Sequence, residues 1–453
     1  MIDKDTIFSL IEEEKQRQED ELCLIASENY MSEDVLKADG SVLVNKYTEG
    51  YVPDSDGNYR RYYGGCHVID KIERTAIDNA CELFKCKYAN VQPNSGCQAN
   101  QAVYMALCNP GDTILSMCVD EGGHISHSLK IGFAGTFYNV ALYGINREEL
   151  LNYDDIKEKL YMYNPHLLLV GASAYPREID FKRIRDIVNE YNEVIDVINN
   201  VIETDGKYEF TFGDETKKTI TKPCEKCYLM VDMAHIAGLV AVGEHMSPIP
   251  YADVVTSTVQ KTLRSGRGGI ILTNNEEIAK KVDKAIFPRL QGGALQNMIA
   301  GKAIGFAEAL KPEFKEYIIQ VKKNIKAMEE IFHKEGIKLV SNGSDNHLLL
   351  IDLKNTQVTG AQLEKTLETL GIVTNKNAVK HDPRPKMETS GLRIGTAAMT
   401  TRGGNEDDAR LIAHIIASTI IYLDEYGAIP DKWFNEYKNW VKNWCKDHPI
   451  YKN

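Results

Sequence analysis

Residues 254–269, Val-Val-Thr-Ser-Thr-Val-Gln-Lys-Thr-Leu-Arg-Ser-Gly-Arg-Gly-Gly, constrain the chain more than any other stretch. The β-branched run from Val254 to Thr258 predicts a buried strand, and it leads directly into Lys261 and a loop of arginines and glycines. A lysine at the carboxyl end of a buried strand in an α/β chain stands where such sheets bind ligands. Desolvation there lowers its pKa and frees an amine able to form a Schiff base. Alone, Lys261 also reads as a surface or anion-pairing lysine, because strand-end lysines are common.

A second segment sharpens this. Tyr228-Leu-Met-Val-Asp-Met-Ala-His235 predicts another apolar strand ending in Asp232, with a histidine three residues on. An acid at one strand end and a lysine at a later one is the arrangement pyridoxal 5'-phosphate (PLP) needs. The carboxylate keeps the pyridine nitrogen protonated so that the ring acts as an electron sink, and the lysine holds the aldehyde. The plainer reading of Asp232 is a helix N-cap.

Val231-Asp-Met-Ala-His-Ile-Ala-Gly-Leu-Val240 and Lys261-Thr-Leu-Arg-Ser-Gly-Arg-Gly-Gly269 together resemble serine hydroxymethyltransferases, and the resemblance runs from Leu24 to about Ala413. It implies an α/β chain with the PLP-dependent transferase (aspartate-aminotransferase-like) fold. The expected organisation is an N-terminal helical arm over 1–30 and a large PLP-binding domain over 31–305, built on a mainly parallel seven-stranded sheet. A smaller C-terminal α/β domain follows over 306–424, then a C-terminal helical extension over 425–453. The large domain departs from the family across 195–226, after a helix predicted over 181–194. There, alternation around Gly213-Asp214 predicts a surface β-hairpin.

The resemblance also implies site residues. Lys261 holds PLP, Asp232 pairs with its pyridine nitrogen and His124 stacks on the ring. Ser95, Gly96, Tyr47, Gly292 and Gly293 hold the phosphate, with Arg267 and His235 nearby. Cys97, Ser173, Thr258 and Gln260 also line the cofactor. Arg393 clamps the substrate carboxylate through its two-pronged guanidinium, Ser27 and Tyr62 touch the substrate, and Glu49 shuttles a proton at the serine hydroxyl. Asn377 lies on the folate side. The implied reaction interconverts L-serine plus tetrahydrofolate with glycine plus 5,10-methylenetetrahydrofolate. It is carried out by a homodimer or tetramer whose subunits share active sites, with Tyr47, Glu49, Tyr62 and the glycines reaching the neighbouring one.

Several positions depart from the family. Gln260 stands where a histidine is usual and cannot titrate near neutrality. Cys97 replaces a serine, Glu121 a histidine, Val119 a larger aliphatic residue and Arg289-Leu290 a glycine pair. A folate-independent aldolase or transaldolase, or an α-methylserine hydroxymethyltransferase, is therefore the alternative reading. A non-catalytic assembly subunit is the third.

Composition excludes other classes. Lys+Arg number 53 against 65 Asp+Glu, a net charge of −12, which argues against a partner bound through phosphate neutralisation such as nucleic acid. No apolar run is long enough to span a bilayer, and the N-terminus lacks a signal-peptide pattern. The 10 cysteines are scattered through a chain too large to need disulfide staples, so they read as reduced thiols of a cytoplasmic protein. Cys224-Glu-Lys-Cys227 has no second pair or histidine cluster, so no metal site is expected.

Overall fold

The computed structural model describes residues 4–54, 57–58, 60–211 and 217–451. Its central sheet has seven strands: β1 (Tyr88–Asn90), β2 (Thr113–Met117), β3 (Asn139–Tyr143), β4 (Leu167–Val170), β5 (Tyr228–Asp232), β6 (Val254–Thr258) and β7 (Gly269–Thr273). Their spatial order is β1-β7-β6-β5-β4-β2-β3. Neighbours are parallel except around β7, which runs against both β6 and β1. The mainly parallel seven-stranded sheet is the one expected. β4 and β7 are buried at every position, as strands covered on both faces must be, which is why they read as apolar runs without alternation. β2 stops at Met117, and Val119–Glu121 winds into a short 3-10 turn. Asp232 pairs in register with Thr256, so the carboxyl ends of β4, β5 and β6 lie side by side along one edge.

The helices that frame this sheet and a second core include α1 (Lys4–Asp20), α2 (Gly96–Leu107), α3 (Phe181–Asp205), α4 (Gln296–Ala309), α5 (Pro312–Lys334), α6 (Glu406–Tyr426) and α7 (Asp431–Asp447). The helix predicted over 181–194 continues to Asp205. The reason is a single apolar stripe, Phe181, Ile184, Val188, Tyr191, Ile195, Ile198 and Ile202, whose alternating steps of three and four keep one face on the sheet. Gly206, with φ 75°, ends it in the left-handed conformation. The strands Tyr208–Thr211 and Lys217–Ile220 then pair antiparallel. The turn expected around Gly213-Asp214 lies outside the described residues. Asn192 and Asn199, one heptad apart on α3, tie the returning chain down. Each exchanges two side-chain hydrogen bonds with one backbone, Cys227 and Cys224 respectively.

A second core lies around an antiparallel sheet of β8 (Leu348–Asp352), β9 (Asn375–Asn377) and β10 (Gly391–Gly395), with β10 in the middle. The two cores meet inside α5: Phe314, Ile318 and Val321 belong to the first, Ile325, Met328 and Phe332 to the second. Both chain ends join the second core. Leu22–Cys23 pairs parallel with Ile372–Val373, and Val441, Trp444 and Cys445 of α7 pack into it. Among the described residues no helix is long and apolar enough to cross a membrane.

Arg402 closes this arrangement. Its fully buried guanidinium donates to the carbonyls of Gln18, Glu19 and Glu21 on one side and of Cys445 and His448 on the other. Removing it leaves those carbonyls unsatisfied in a dry interior. Arg402→Met is expected to lower the unfolding free energy by about 3 kcal/mol, read as a fall in the urea midpoint. An unchanged midpoint would show that the two termini hold without it.

Candidate active site

A cavity of about 380 Å³ opens at the carboxyl edge of the large sheet. Its lining includes Ser27, Ser95, Gly96, Cys97, His124, Asp232, His235, Thr258, Gln260, Lys261 and Arg267. The structure thus gathers most of the sequence-derived cofactor residues in one place, from segments more than 200 residues apart.

Lys261 follows β6 by three residues and is only 8% exposed. Its backbone carbonyl accepts from Asn29 Nδ2 at 3.0 Å, while its Nζ donates no hydrogen bond among the described residues. Burial pushes its pKa down to about 8; the Asp232 charge pulls it up and the Arg393 charge pushes it further down. Asp232 caps β5. Its Oδ2 accepts from His127 Nε2 at 2.8 Å and Asn100 Nδ2 at 2.9 Å, and its Oδ1 from the Ala234 amide at 3.0 Å. Burial alone would raise this carboxyl, but the His127 and Asn100 bonds outweigh it and hold it well below the usual range. The carboxylate is therefore an anion fixed in orientation, beside an amine that is readily neutral.

His124 caps a one-turn helix through Nδ1, which accepts from the Ser126 amide. Burial, then the neighbouring His127, lowers its pKa to about 4, so the ring is neutral at physiological pH. His235 is buried and stacks on His347, with ring centroids 5.4 Å apart. Ser95 is the N-cap of α2 and accepts from the Gln98 amide, so the first amides of that helix face the cavity beside Gly96 and Cys97. Arg393, on β10, donates to the Ser173 carbonyl at 2.7 Å and to Asn375 Oδ1 at 3.1 Å. It is 9% exposed and has no acidic partner among the described residues; burial lowers its pKa to about 10.

Other expected residues lie elsewhere. Ser173 is not in the lining, and its hydroxyl donates to the Gly123 carbonyl at 2.9 Å. Asn377 sits on β9 with its amide bonded to the Ala378 carbonyl. Tyr47, Glu49, Tyr62, Gly292 and Gly293 form a separate cluster away from this cavity. A side chain at Gly292 would meet the Glu49 carboxylate at 2.9 Å, and one at Gly293 the Tyr47 ring at 3.2 Å. The Tyr62 amide donates to the Glu49 carbonyl, and the Tyr62 ring packs edge-on against Phe287. Tyr47 and Tyr62 are 55% and 76% exposed, next to the uncovered Val42 and Val44. Glu121, one of the departures, turns from the cavity to accept from the Ile145 amide at 2.6 Å.

Sequence reasoning missed His127, Asn100 and His347. The spacing His124-Ile-Ser-His127 was a usable signal. Asn100 and His347 carried none, since their partners come from distant segments.

The residues fit PLP on the structure's own terms. Two buried polar atoms in the lining, Thr258 Oγ1 and Gln260 Oε1, have no hydrogen-bond partner among the described residues. They stand with a helix start suited to a phosphate, an anionic carboxylate and an unpaired amine. Fold and cavity together define a fold-type I PLP-dependent transferase.

The serine hydroxymethyltransferase family profile matches residues 1–198 and 213–416, interrupted only inside the departing stretch at 195–226. The chain is 46% identical over 446 residues to the serine hydroxymethyltransferase of Lactobacillus acidophilus, covering 98% of each protein. The chain belongs to the serine hydroxymethyltransferase family, PLP-dependent enzymes with tetrahydrofolate as co-substrate.

The electrostatics give a titration that can be measured. Labelling of Lys261 by an amine-selective reagent in the cofactor-free protein, followed by mass spectrometry, is expected to rise through pH about 8. Asp232→Asn removes the charge that favours the ammonium, so its midpoint should lie lower. A wild-type midpoint near the ordinary 10.5 would contradict the burial argument.

Proposed function

We propose that this cavity carries out the family reaction, L-serine plus tetrahydrofolate to glycine plus 5,10-methylenetetrahydrofolate, and that each active site is completed by a second copy of the chain. The supporting observation is the division of the site residues. Lys261, Asp232, His124 and the α2 start line the cavity. Tyr47, Glu49, Tyr62, Gly292 and Gly293 cluster on an exposed, partly apolar face that does not reach it. A homodimer that covers this face delivers them to a neighbour's cavity. Ten free cysteines with no disulfide among the described residues support a cytoplasmic setting.

When bound, PLP supplies an aldehyde for amine exchange and a ring that takes up electrons freed at the substrate α-carbon. The protein's part follows from its charges. The Lys261 amine, shifted towards neutrality by burial, is the nucleophile that would hold the cofactor's aldehyde. Asp232, anchored by His127 and Asn100, is the anion that would pair with the cofactor's pyridine nitrogen and favour its protonated form. The neutral His124 imidazole would stack on the cofactor ring and adds no positive charge beside Asp232. Arg393, lacking an acid of its own, takes the substrate carboxylate and thereby aims the α-carbon bonds at the ring. Ser95, Gly96 and Cys97 with Thr258 bind the phosphate, joined by Tyr47, Gly292 and Gly293 of the partner subunit. Glu49 of the partner subunit moves the proton at the serine hydroxyl, and Ser27 together with Tyr62 of the partner subunit completes the substrate's surroundings. Gln260 supplies a neutral hydrogen-bonding amide beside Lys261.

Lys261→Ala and Glu49→Gln are each expected to be inactive. If sites are shared, mixing the two under conditions that exchange subunits restores about a quarter of wild-type activity, because half the dimers are mixed and each carries one intact site of two. No recovery in a mixture shown to contain mixed dimers would place Glu49 and Lys261 in the same chain's site.

A further inference from the structure

Lys302 is a fully buried lysine that the mechanism above does not use. It lies on α4, 1% exposed, behind the cavity and outside its lining. Its Nζ donates to three backbone carbonyls: Val91 at 2.6 Å, Pro93 at 2.8 Å and Gly269 at 3.1 Å. All three ammonium hydrogens are thereby used, and among the described residues no carboxylate lies within ion-pair distance. Burial lowers its pKa to about 7, while Glu73 and Asp39 pull it up from farther away. A neutral amine would offer only two N–H donors to three acceptors, so the geometry requires the ammonium.

The three carbonyls belong to the two backbone segments that flank the α2 start. Val91 and Pro93 lie on the stretch that leads from β1 to Ser95. Gly269 opens β7 immediately after Arg267 and Gly268, which line the cavity. The Gly269 amide also donates to the Pro93 carbonyl at 2.9 Å. Gly268, with φ 148°, has no room for a side chain, because a Cβ there would collide with Lys302 Cε and Nζ. Without the ammonium, three carbonyl oxygens would converge on a dry space and repel one another.

We propose that Lys302 is a positioning residue, a built-in cation caged by three carbonyls, that holds the cofactor's phosphate cradle in shape. This rests on the reading of Ser95–Cys97 as that cradle. Lys302 touches neither cofactor nor substrate; it acts through the Pro93–Ser95 and Arg267–Gly269 backbone.

The test measures PLP affinity of the full-length protein by equilibrium dialysis, with Ser95→Ala examined in parallel. Lys302→Ala is expected to bind PLP about tenfold more weakly or worse. Ammonium or methylammonium chloride should restore most of the loss, whereas tetramethylammonium chloride at equal ionic strength should not. Should Lys302→Ala not fold, Lys302→Gln, which keeps two N–H donors but no charge, is expected to show a smaller loss without ammonium rescue. Wild-type affinity in either variant, or a loss in Lys302→Ala that ammonium leaves untouched, would overturn the proposal. If Ser95→Ala also binds PLP like the wild type, it is the cradle reading that fails; if only Ser95→Ala weakens binding, the cradle stands and the role of Lys302 does not.

Discussion

The rest of the structure serves a charge problem: a buried carboxylate and a buried amine held in one cavity without neutralising each other. Burial penalises both charges, yet the site needs Asp232 ionised and Lys261 readily neutral. The two outcomes are reached by different neighbours. Asp232 receives hydrogen bonds from His127, Asn100 and the Ala234 amide, which outweigh its desolvation. Among the described residues Lys261 Nζ donates to no acceptor, and it lies in the field of Arg393, so desolvation prevails. The parallel sheet makes this possible, because it brings the ends of β5 and β6 together while helices on both faces keep water out.

The same logic explains why several buried polar groups stand without partners. Among the described residues Arg393 has neutral acceptors but no acid beside it, and Thr258 Oγ1 and Gln260 Oε1 have no hydrogen-bond partner. An interior tolerates such groups poorly unless something bound satisfies them. A carboxylate and an amine on one small substrate, together with a phosphorylated cofactor, answer these needs with one set of contacts. Lys302 is the contrasting case, a buried charge whose three donors are all met by the protein itself.

Much of this was legible in the sequence. The strands ending in Asp232 and before Lys261 announced themselves as apolar runs, and their order fixed which ends would be neighbours. The helix start at Ser95 was readable from its small residues. What sequence could not reveal were contacts made across long separations. Asn100 and Asp232 are 132 residues apart, and Lys302 meets Val91 across 211. Neither Asn100 nor Lys302 looks unusual on its helix. The extent of α3 was misjudged because a family boundary was placed where the apolar stripe continued through Ile195, Ile198 and Ile202. Glu121 looked like a change at the site, but its carboxylate is taken up by the Ile145 amide.

The central claim is that one chain supplies the charged cavity and another completes it. A crystal structure of the PLP-loaded protein with glycine tests this most directly. The account predicts Tyr47 and Glu49 of the partner subunit at the mouth of the cavity holding Lys261, with Arg393 on the glycine carboxylate and Asp232 on the ring nitrogen. A structure in which each cavity is complete within its own chain, with Glu49 exposed to solvent, would contradict it.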